Sequence, residues 1–500
     1  MTDHESPHTS SDARSAKTGR RQRLTALAQQ ARREISLTAH PTLEWMPAVQ
    51  DPEGGRALDV LIVGAGQGGT TLAFQLARDR VPEVLVIDKA GPGREGPWQT
   101  YARMPTLRSP KEYTGPDLGV PSLTYQAWHE AMFGSDTWSQ FALIKTRDWA
   151  DYLLWVREQT GVRIESNTEL RSVTAAEHSG RRLVRAVLGT PDGERTVYCR
   201  RLVLATGQDG TGRWMMPDFV EALPQHVRAH AADDIDFNQL GGRTVAVLGA
   251  GASAADNAAE ALEHGARAVH MFVRREKMQR IQPYRWITFR GFLRHLCDLD
   301  DTWRWRFMQR VLSMRESIPQ DTYDRMRRWS NFEIHTGAGW HDARMVDAGE
   351  AGRVRIETTR GPFDADFVIA GTGIDIDFSC RPELASFADQ ILTWADAYTP
   401  PAEEVDERLA RYPYLSADGT YMEKHPGQAP LLARIYDFTI AATMSFGPSG
   451  ASINALNTAV PRLGASITKS LFREDVEHHW NDFLDYDVPV FMPSAVDHAK

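Results

Sequence analysis

Two glycine-rich turns in this chain have the spacing of phosphate cradles. The first, Gly64-Ala65-Gly66-Gln67-Gly68-Gly69, follows the apolar run Leu58-Asp59-Val60-Leu61-Ile62-Val63 and opens a segment with helical spacing through Ala73, Leu76 and Ala77. A second apolar run, Val84 to Ile87, ends in Asp88. Strand, GxGxxG turn, helix, strand and acid together make the grammar of a dinucleotide-binding unit. Gly64 permits the tight turn, Gly66 lets the backbone approach a pyrophosphate, and Gly69 lets the helix sit close to the strand. N–H groups at the helix start would hold phosphate, and Asp88 would accept from the hydroxyls of an adenosine ribose. A turn cap is the competing role for Asp88.

The pattern returns at Thr244 to Leu248, which runs into Gly249-Ala250-Gly251-Ala252-Ser253-Ala254, a helix and the strand Val269 to Val273. Gly249, Gly251 and Ser253 are its candidate phosphate-binding positions. In the place of the acid stands Arg274-Arg275. Guanidinium forks suit a ribose 2′-phosphate, which points to NADPH, with NADH as the alternative and a solvated surface pair as the competing reading. One acid and one arginine pair imply two different cofactors, FAD on the first unit and NADPH on the second.

The elements that must position these turns follow from the same patterning. Arg201 to Gly207 and Asp366 to Gly373 each read as a strand ending in small residues, marking two crossings between the units. The expected fold class is α/β, with two Rossmann-like dinucleotide-binding domains and the NAD(P) domain inserted into the FAD domain. The expected divisions are a disordered tail over 1–22, the first part of the FAD domain over 23–207, the NAD(P)H domain over 208–371 and the FAD return part over 372–500. An extra helical insert, rich in Arg and aromatics, is expected at about 284–330, where Tyr284, Trp286 and Trp303 could line a substrate cavity. Thr439 to Met444 reads as a strand entering a Gly-Pro-Ser-Gly turn at Gly447–Gly450, with a helix from about Ala451 that would point its N-terminus at a flavin. An ordinary loop is the alternative there, and Gly450 is the candidate cofactor contact.

Composition removes other classes. The 500 residues, with 42% hydrophobic and 25% charged, exceed a single ordinary core and describe a globular chain. A net charge of −9 supplies no basic field for a phosphate backbone, so no nucleic-acid partner is expected. Cys199, Cys297 and Cys380 form no CxxC pair or metal cluster. No run reaches the roughly 18 apolar residues of a membrane span, and Arg20-Arg21 is not followed by an apolar signal core. A cytoplasmic location without membrane attachment is the expectation, with room for a homo-oligomer.

The two fingerprints, together with Ala205-Thr206-Gly207 and Gly371-Thr372-Gly373, resemble the class B flavoprotein monooxygenases: flavin-containing, N-hydroxylating and Baeyer–Villiger enzymes. The segment with Tyr101, Thr106, Ser109, Lys111 and Glu112 is similar to the family stretch passing the flavin, although Leu107 or Arg108 stands where the family has Asn. His230 holds the place of the histidine in the family's FxGxxxHxxx motif, whose Phe and Gly are replaced at their offsets by Pro224 and His226. The resemblance implies that NADPH reduces FAD and that O2 yields a flavin C4a-hydroperoxide, which oxygenates a small molecule. N-hydroxylation, or hydroxylation of a heterocycle such as urate, is the favoured outcome. Arg108 and Lys111 are the catalytic candidates, with surface salt bridges as the competing role, and Trp98 resembles a flavin-edge position, with core packing as its default. The alternatives are a flavoprotein reductase serving a quinone or protein acceptor, and a non-catalytic nucleotide-sensing protein.

Overall fold

The computed structural model describes residues 8–38, 44–113, 115–208, 210–347 and 352–491. Its first sheet is built on β1 (Leu58–Val63), buried at every position as a parallel strand covered on both faces must be. β1 pairs in parallel with β2 (Val84–Ile87) and with the end of β6 (Gly193–Leu204). Beyond β2 lies β3 (Ile164–Glu165). The first half of β6 instead runs antiparallel to β5 (Arg181–Thr190), itself paired with β4 (Glu169–His178). β17 (Ile435–Asp437) returns late in the chain to extend the parallel part beside β6.

The second sheet is parallel throughout, in the order β11 (Phe332–Thr336), β10 (Ala268–Val273), β9 (Thr244–Leu248), β15 (Phe367–Ala370) and β8 (Arg228–His230). An antiparallel sheet of β12 (Trp340–Asp347), β13 (Arg353–Thr358) and β14 (Gly361–Ala365) covers one face, burying Val354 and Ile356 against Ala246, Phe272 and Val368. Where the chain passes between the sheets, β7 (Gly212–Trp214) and β16 (Ile374–Ile376) run antiparallel. A Cβ on Gly212 would lie 1.9 Å from the Asp375 carbonyl oxygen, so only glycine allows that pairing.

The expected insert is helical, as Pro283–Trp286, Arg290–His295, Asp301–Met314 and Gln320–Arg327. Its apolar side buries Ile287, Phe292, Leu296, Trp305 and Met308 with Trp394, Leu409 and Met444, so the insert spans to the late part of the chain. Trp303 and Trp286 remain about half exposed, at 49% and 59%, and pack around Phe307 at its surface.

Two local expectations are corrected. A helix runs over His8–Leu37, so the unstructured tail does not extend over 8–22; residues 1–7, like 492–500, lie outside the described residues. The anchor is its later half, where Ala31 is fully buried beside Phe74, Val120 and Leu123, and Glu34 accepts from the Ser122 N–H and hydroxyl at 2.9 Å each. Once docked, the helix propagates toward its N-terminus at little further cost. The second correction concerns Thr439 to Met444, which forms a 3-10 turn at Ile440–Ala442 and a helical turn at Thr443–Phe446. Asp437 accepts from the Thr439 N–H and hydroxyl, and the Thr439 oxygen accepts from the Ala441 N–H. Those caps end the strand at Asp437 despite the β-branched residues that follow. The long helix then begins at Leu456, after a short turn at Ile453–Ala455.

The first sheet is pinned to that helix by a buried ion network. Glu474 lies 2.7 Å from Arg434, 2.8 Å from Arg201 and 3.3 Å from both Arg181 and Arg200. Arg200, with no exposed surface, also reaches Asp475 at 2.6 Å and Asp59 at 3.3 Å. Burial opposes ionisation of Glu474, but Arg201, Arg434 and Arg200 outweigh it and hold its carboxyl at about 2.

Candidate functional site

The glycines of each turn divide into those the fold requires and those it does not. Gly64 has φ +109°, and a Cβ there would lie 2.4 Å from the Ala205 carbonyl oxygen. Gly69 would bring a Cβ to 1.9 Å from the Gly64 carbonyl oxygen. Gly66 has an ordinary extended backbone at φ −68°, and its nearest neighbour to a Cβ is the Gly96 Cα at 3.9 Å. Among the described residues nothing explains a missing side chain at Gly66; a ligand brought against the backbone does.

The second turn repeats this division. Gly249 has φ +118° and closes on the Gly371 carbonyl oxygen, 2.4 Å from where a Cβ would stand. Gly251 has φ −77°, and a Cβ there would meet nothing within 4 Å. Ser253, exposed in the first turn of the helix Ala252–Glu263, presents its hydroxyl beside the open helix start. Neither helix start carries a side-chain cap, so their first N–H groups are free for an anion. Both turns therefore fit a dinucleotide pyrophosphate.

Asp88 sits at the end of β2 and accepts from the Ala65 and Ala90 N–H groups, each at 2.8 Å. The turn-cap role is thus present, and each oxygen keeps a further lone pair for a ribose hydroxyl. Burial raises its carboxyl above the ordinary range, against the pull of the two N–H bonds. Trp98 stands at the wall of the groove running along Ala65, Gly66, Gln67 and Thr70, and also lines a cleft of about 460 Å³ with Met104, Pro105, Thr146 and Arg147. Its indole N–H is buried with no protein partner. Opposite the first turn, the Gly450 carbonyl would stand 2.9 Å from a Cβ on Gly68, so the late turn closes directly onto the start of the helix Gln67–Arg78. Phe292 and Leu296 of the insert pack against Gly447 of that same late turn.

The Arg pair separates. Arg275 donates to the Ser313 and Met314 carbonyl oxygens at 2.8 and 3.1 Å, capping the helix Asp301–Met314. Among the described residues Arg274 has no hydrogen-bond or ion-pair partner, and it lies exposed just past β10. Arg274 is therefore the free guanidinium, and Arg275 is corrected to a helix cap.

Both catalytic candidates also have structural occupations. Lys111 is buried, donates to the Trp138 and Phe141 carbonyl oxygens and lies 4.5 Å from the centre of each of those rings. Its ammonium is used up in that cage. Arg108 forms an ion pair with the buried Asp256 on the helix of the second turn, with Glu316 3.9 Å away. Thr322 donates to the other Asp256 oxygen at 2.9 Å. Burial pushes the Asp256 carboxyl up, against Arg108 and Thr322. Arg108 thus ties the loop after the first unit to the helix of the second turn.

Of the residues at that seam, Tyr101 and His230 are ones the sequence singles out, whereas Arg103, Trp214 and Asn257 are not. Arg103 donates to the Ala231 carbonyl at 2.9 Å, as does the Asn257 side chain at 3.1 Å. Tyr101 meets Trp214 edge-on at 5.6 Å, and Trp214 in turn packs on His230 at 5.2 Å. His230 is buried, its Nδ1 accepts from the Ala232 N–H at 3.1 Å, and its Nε2 has no partner among the described residues. The one available signal was Asp256, an acid among Ala252, Ala254, Ala255, Ala258 and Ala259.

Comparison with known proteins agrees with this architecture. Residues 61–294 match the model of the pyridine nucleotide-disulphide oxidoreductase family. The chain is 34% identical over 475 residues to the FAD-dependent urate hydroxylase of Xanthomonas campestris pv. campestris, covering 94% of this chain and 97% of that one. In fold it is similar to the ornithine hydroxylase of Pseudomonas aeruginosa (TM-score 0.64, 16% identity, 83% of this chain and 100% of that one). The L-lysine 6-monooxygenase of Pseudomonas syringae gives 0.61 and 17%, over 83% of this chain and 99% of that one. At 34% identity over nearly the whole of both chains, the chain belongs to the family of the FAD-dependent urate hydroxylase.

Proposed function

We propose that this protein is an NADPH-dependent FAD monooxygenase that hydroxylates urate, using O2 as the oxygen source. The observation that carries the reading is the end-to-end likeness to the Xanthomonas urate hydroxylase, at 34% identity over 475 residues. Bound FAD supplies hydride acceptance from NADPH and the activation of O2. The chain's residues do the holding. Gly66 and the first N–H groups of Gln67–Arg78 take the FAD pyrophosphate, Asp88 takes its ribose, and Trp98 and Gly450 flank the remainder of the molecule. Gly251 and Ser253 take the NADPH pyrophosphate. In this reading residues 23–207 and 372–500 form the FAD-binding body, 208–371 form the NADPH-binding one, and the enzyme works in the cytoplasm. The Arg108–Asp256 pair fixes how closely the two approach, and the packed seam at Tyr101, Trp214 and His230 excludes water from it.

Arg274 takes the 2′-phosphate. Arg274→Ala is expected to raise the KM for NADPH by about 10- to 100-fold, the loss of one charge-assisted contact, with little change for NADH. Arg275→Ala is expected to act on the stability of the helix Asp301–Met314 instead, leaving the ratio of the two KM values within about twofold. Steady-state kinetics with both nucleotides check this.

The substrate is tested by NADPH consumption with urate, ornithine and lysine each in turn. Urate is expected to accelerate it by at least about tenfold over the substrate-free rate. Acceleration by an amine and not by urate would overturn the assignment.

A further inference from the structure

We infer that His270, Glu333 and His335 form a binding site for a divalent transition-metal ion of the zinc type, on the edge of the second sheet and apart from both nucleotide cradles. The register of β10 and β11 creates it. His270 is paired with Glu333 and Phe272 with His335, so the alternation of strand side chains puts all four on one face. The Nδ1 of His270 lies 3.0 Å from the Nε2 of His335, and one oxygen of Glu333 lies 3.6 Å from each of those nitrogens.

Those separations have a geometric consequence. The point equidistant from three atoms 3.0, 3.6 and 3.6 Å apart is about 2.0 Å from each, and zinc binds imidazole nitrogen at about 2.0–2.1 Å and carboxylate oxygen at about 2.0–2.2 Å. The two rings now meet nitrogen to nitrogen, with centroids 5.3 Å apart, so each imidazole turns about its side-chain torsions to aim its lone pair at an ion held by all three ligands, and a fourth position stays for water. Glu333 is 63% exposed, so the ion has a path from solvent. The imidazoles are held in place by packing: Phe272 stacks on His335 at 4.7 Å, and Phe363 of β14 lies 4.6 Å from His270. Two imidazoles and one carboxylate are the donor set that zinc accepts with an open position. β11 is the outermost strand, and an ion shared between β10 and β11 would clasp that edge to the sheet.

The test uses the FAD-loaded full chain, stripped with a chelator and titrated with Zn2+ against a chromophoric competitor. One equivalent is expected to bind, with Kd on the order of 1 µM or tighter. His270→Ala and His335→Ala are each expected to weaken binding by at least about 100-fold, and Glu333→Gln by at least about tenfold. Cys380→Ser, removing an exposed thiol elsewhere, is expected to leave the affinity unchanged. Zn2+ is also expected to raise Tm in the unaltered protein and in Cys380→Ser, and by clearly less at the same concentration in Glu333→Gln. Because Glu333 is the exposed member, its variant keeps the test valid should either histidine variant fold poorly. The absence of one saturable equivalent, or a loss below tenfold in Glu333→Gln, overturns the site and leaves His270 and His335 as a hydrogen-bonded pair.

Discussion

Gly66→Val is expected to give a folded but colourless protein whose urate-dependent activity is lower by at least about 1,000-fold, because the cofactor carries the chemistry. The Gly66 φ of −68° suits any residue, and a Cβ would meet only the Gly96 Cα at 3.9 Å, so the fold should tolerate a side chain. The space it fills is where the pyrophosphate must approach. Tm without added FAD should therefore stay near that of the unaltered apoprotein while flavin absorbance is lost. Gly69→Ala gives the contrast, since its Cβ would lie 1.9 Å from the Gly64 carbonyl oxygen and must disturb the turn itself. At the second turn, Gly251→Val should stay yellow yet fail to be reduced by NADPH, because its space is likewise empty of protein. A yellow, active Gly66→Val would remove the first cradle as the FAD site.

The second large effect concerns stability. Glu474→Gln is expected to destabilise the protein by about 3–5 kcal/mol, the range found when one member of a buried ion cluster is removed. Glu474 contacts four arginines, at 181, 200, 201 and 434, and without it, among the described residues, Asp59 and Asp475 remain against them. The same residue sets an acid limit. Its folded-state value of about 2 lies below the ordinary 4.5, so its stabilisation is complete above about pH 4.5 and is lost as pH falls toward 2. Thermal unfolding followed across that window should show a steep fall in Tm for the unaltered protein, with a shallower one for Glu474→Gln. Equal slopes would show that the network does not tune Glu474.

What could be read from the chain was what is local to it. β1 and β9 are announced by apolar runs feeding glycine turns, β2 and β10 by apolar runs ending in Asp88 and in Arg274-Arg275, and Gly64 to Gly69 carries its purpose in its spacing. The helical insert was legible in the same way, from its lack of strand alternation. Residues brought together from afar were not. Arg108 meets Asp256 across 148 positions and Arg200 meets Asp475 across 275, and no periodicity predicts either pair. Register was equally silent: His270 and His335 become neighbours only because Phe272 aligns with His335. The β-branched run at Thr439 misled because Asp437 and Thr439 cap a turn, a case of side chains competing with the strand for backbone N–H groups. Lys111 and Arg108 stand out in the sequence as catalytic candidates, but their partners, carbonyl oxygens in one case and a buried acid in the other, come from distant segments.

The central claim is that one atom of O2 enters the substrate. The direct measurement is turnover of urate with NADPH under 18O2, followed by mass analysis of the hydroxylated product. One labelled oxygen per product molecule is expected, with NADPH consumed in proportion. Product free of label, or NADPH consumed with all the oxygen recovered as peroxide or the electrons passed to an added quinone, would contradict it.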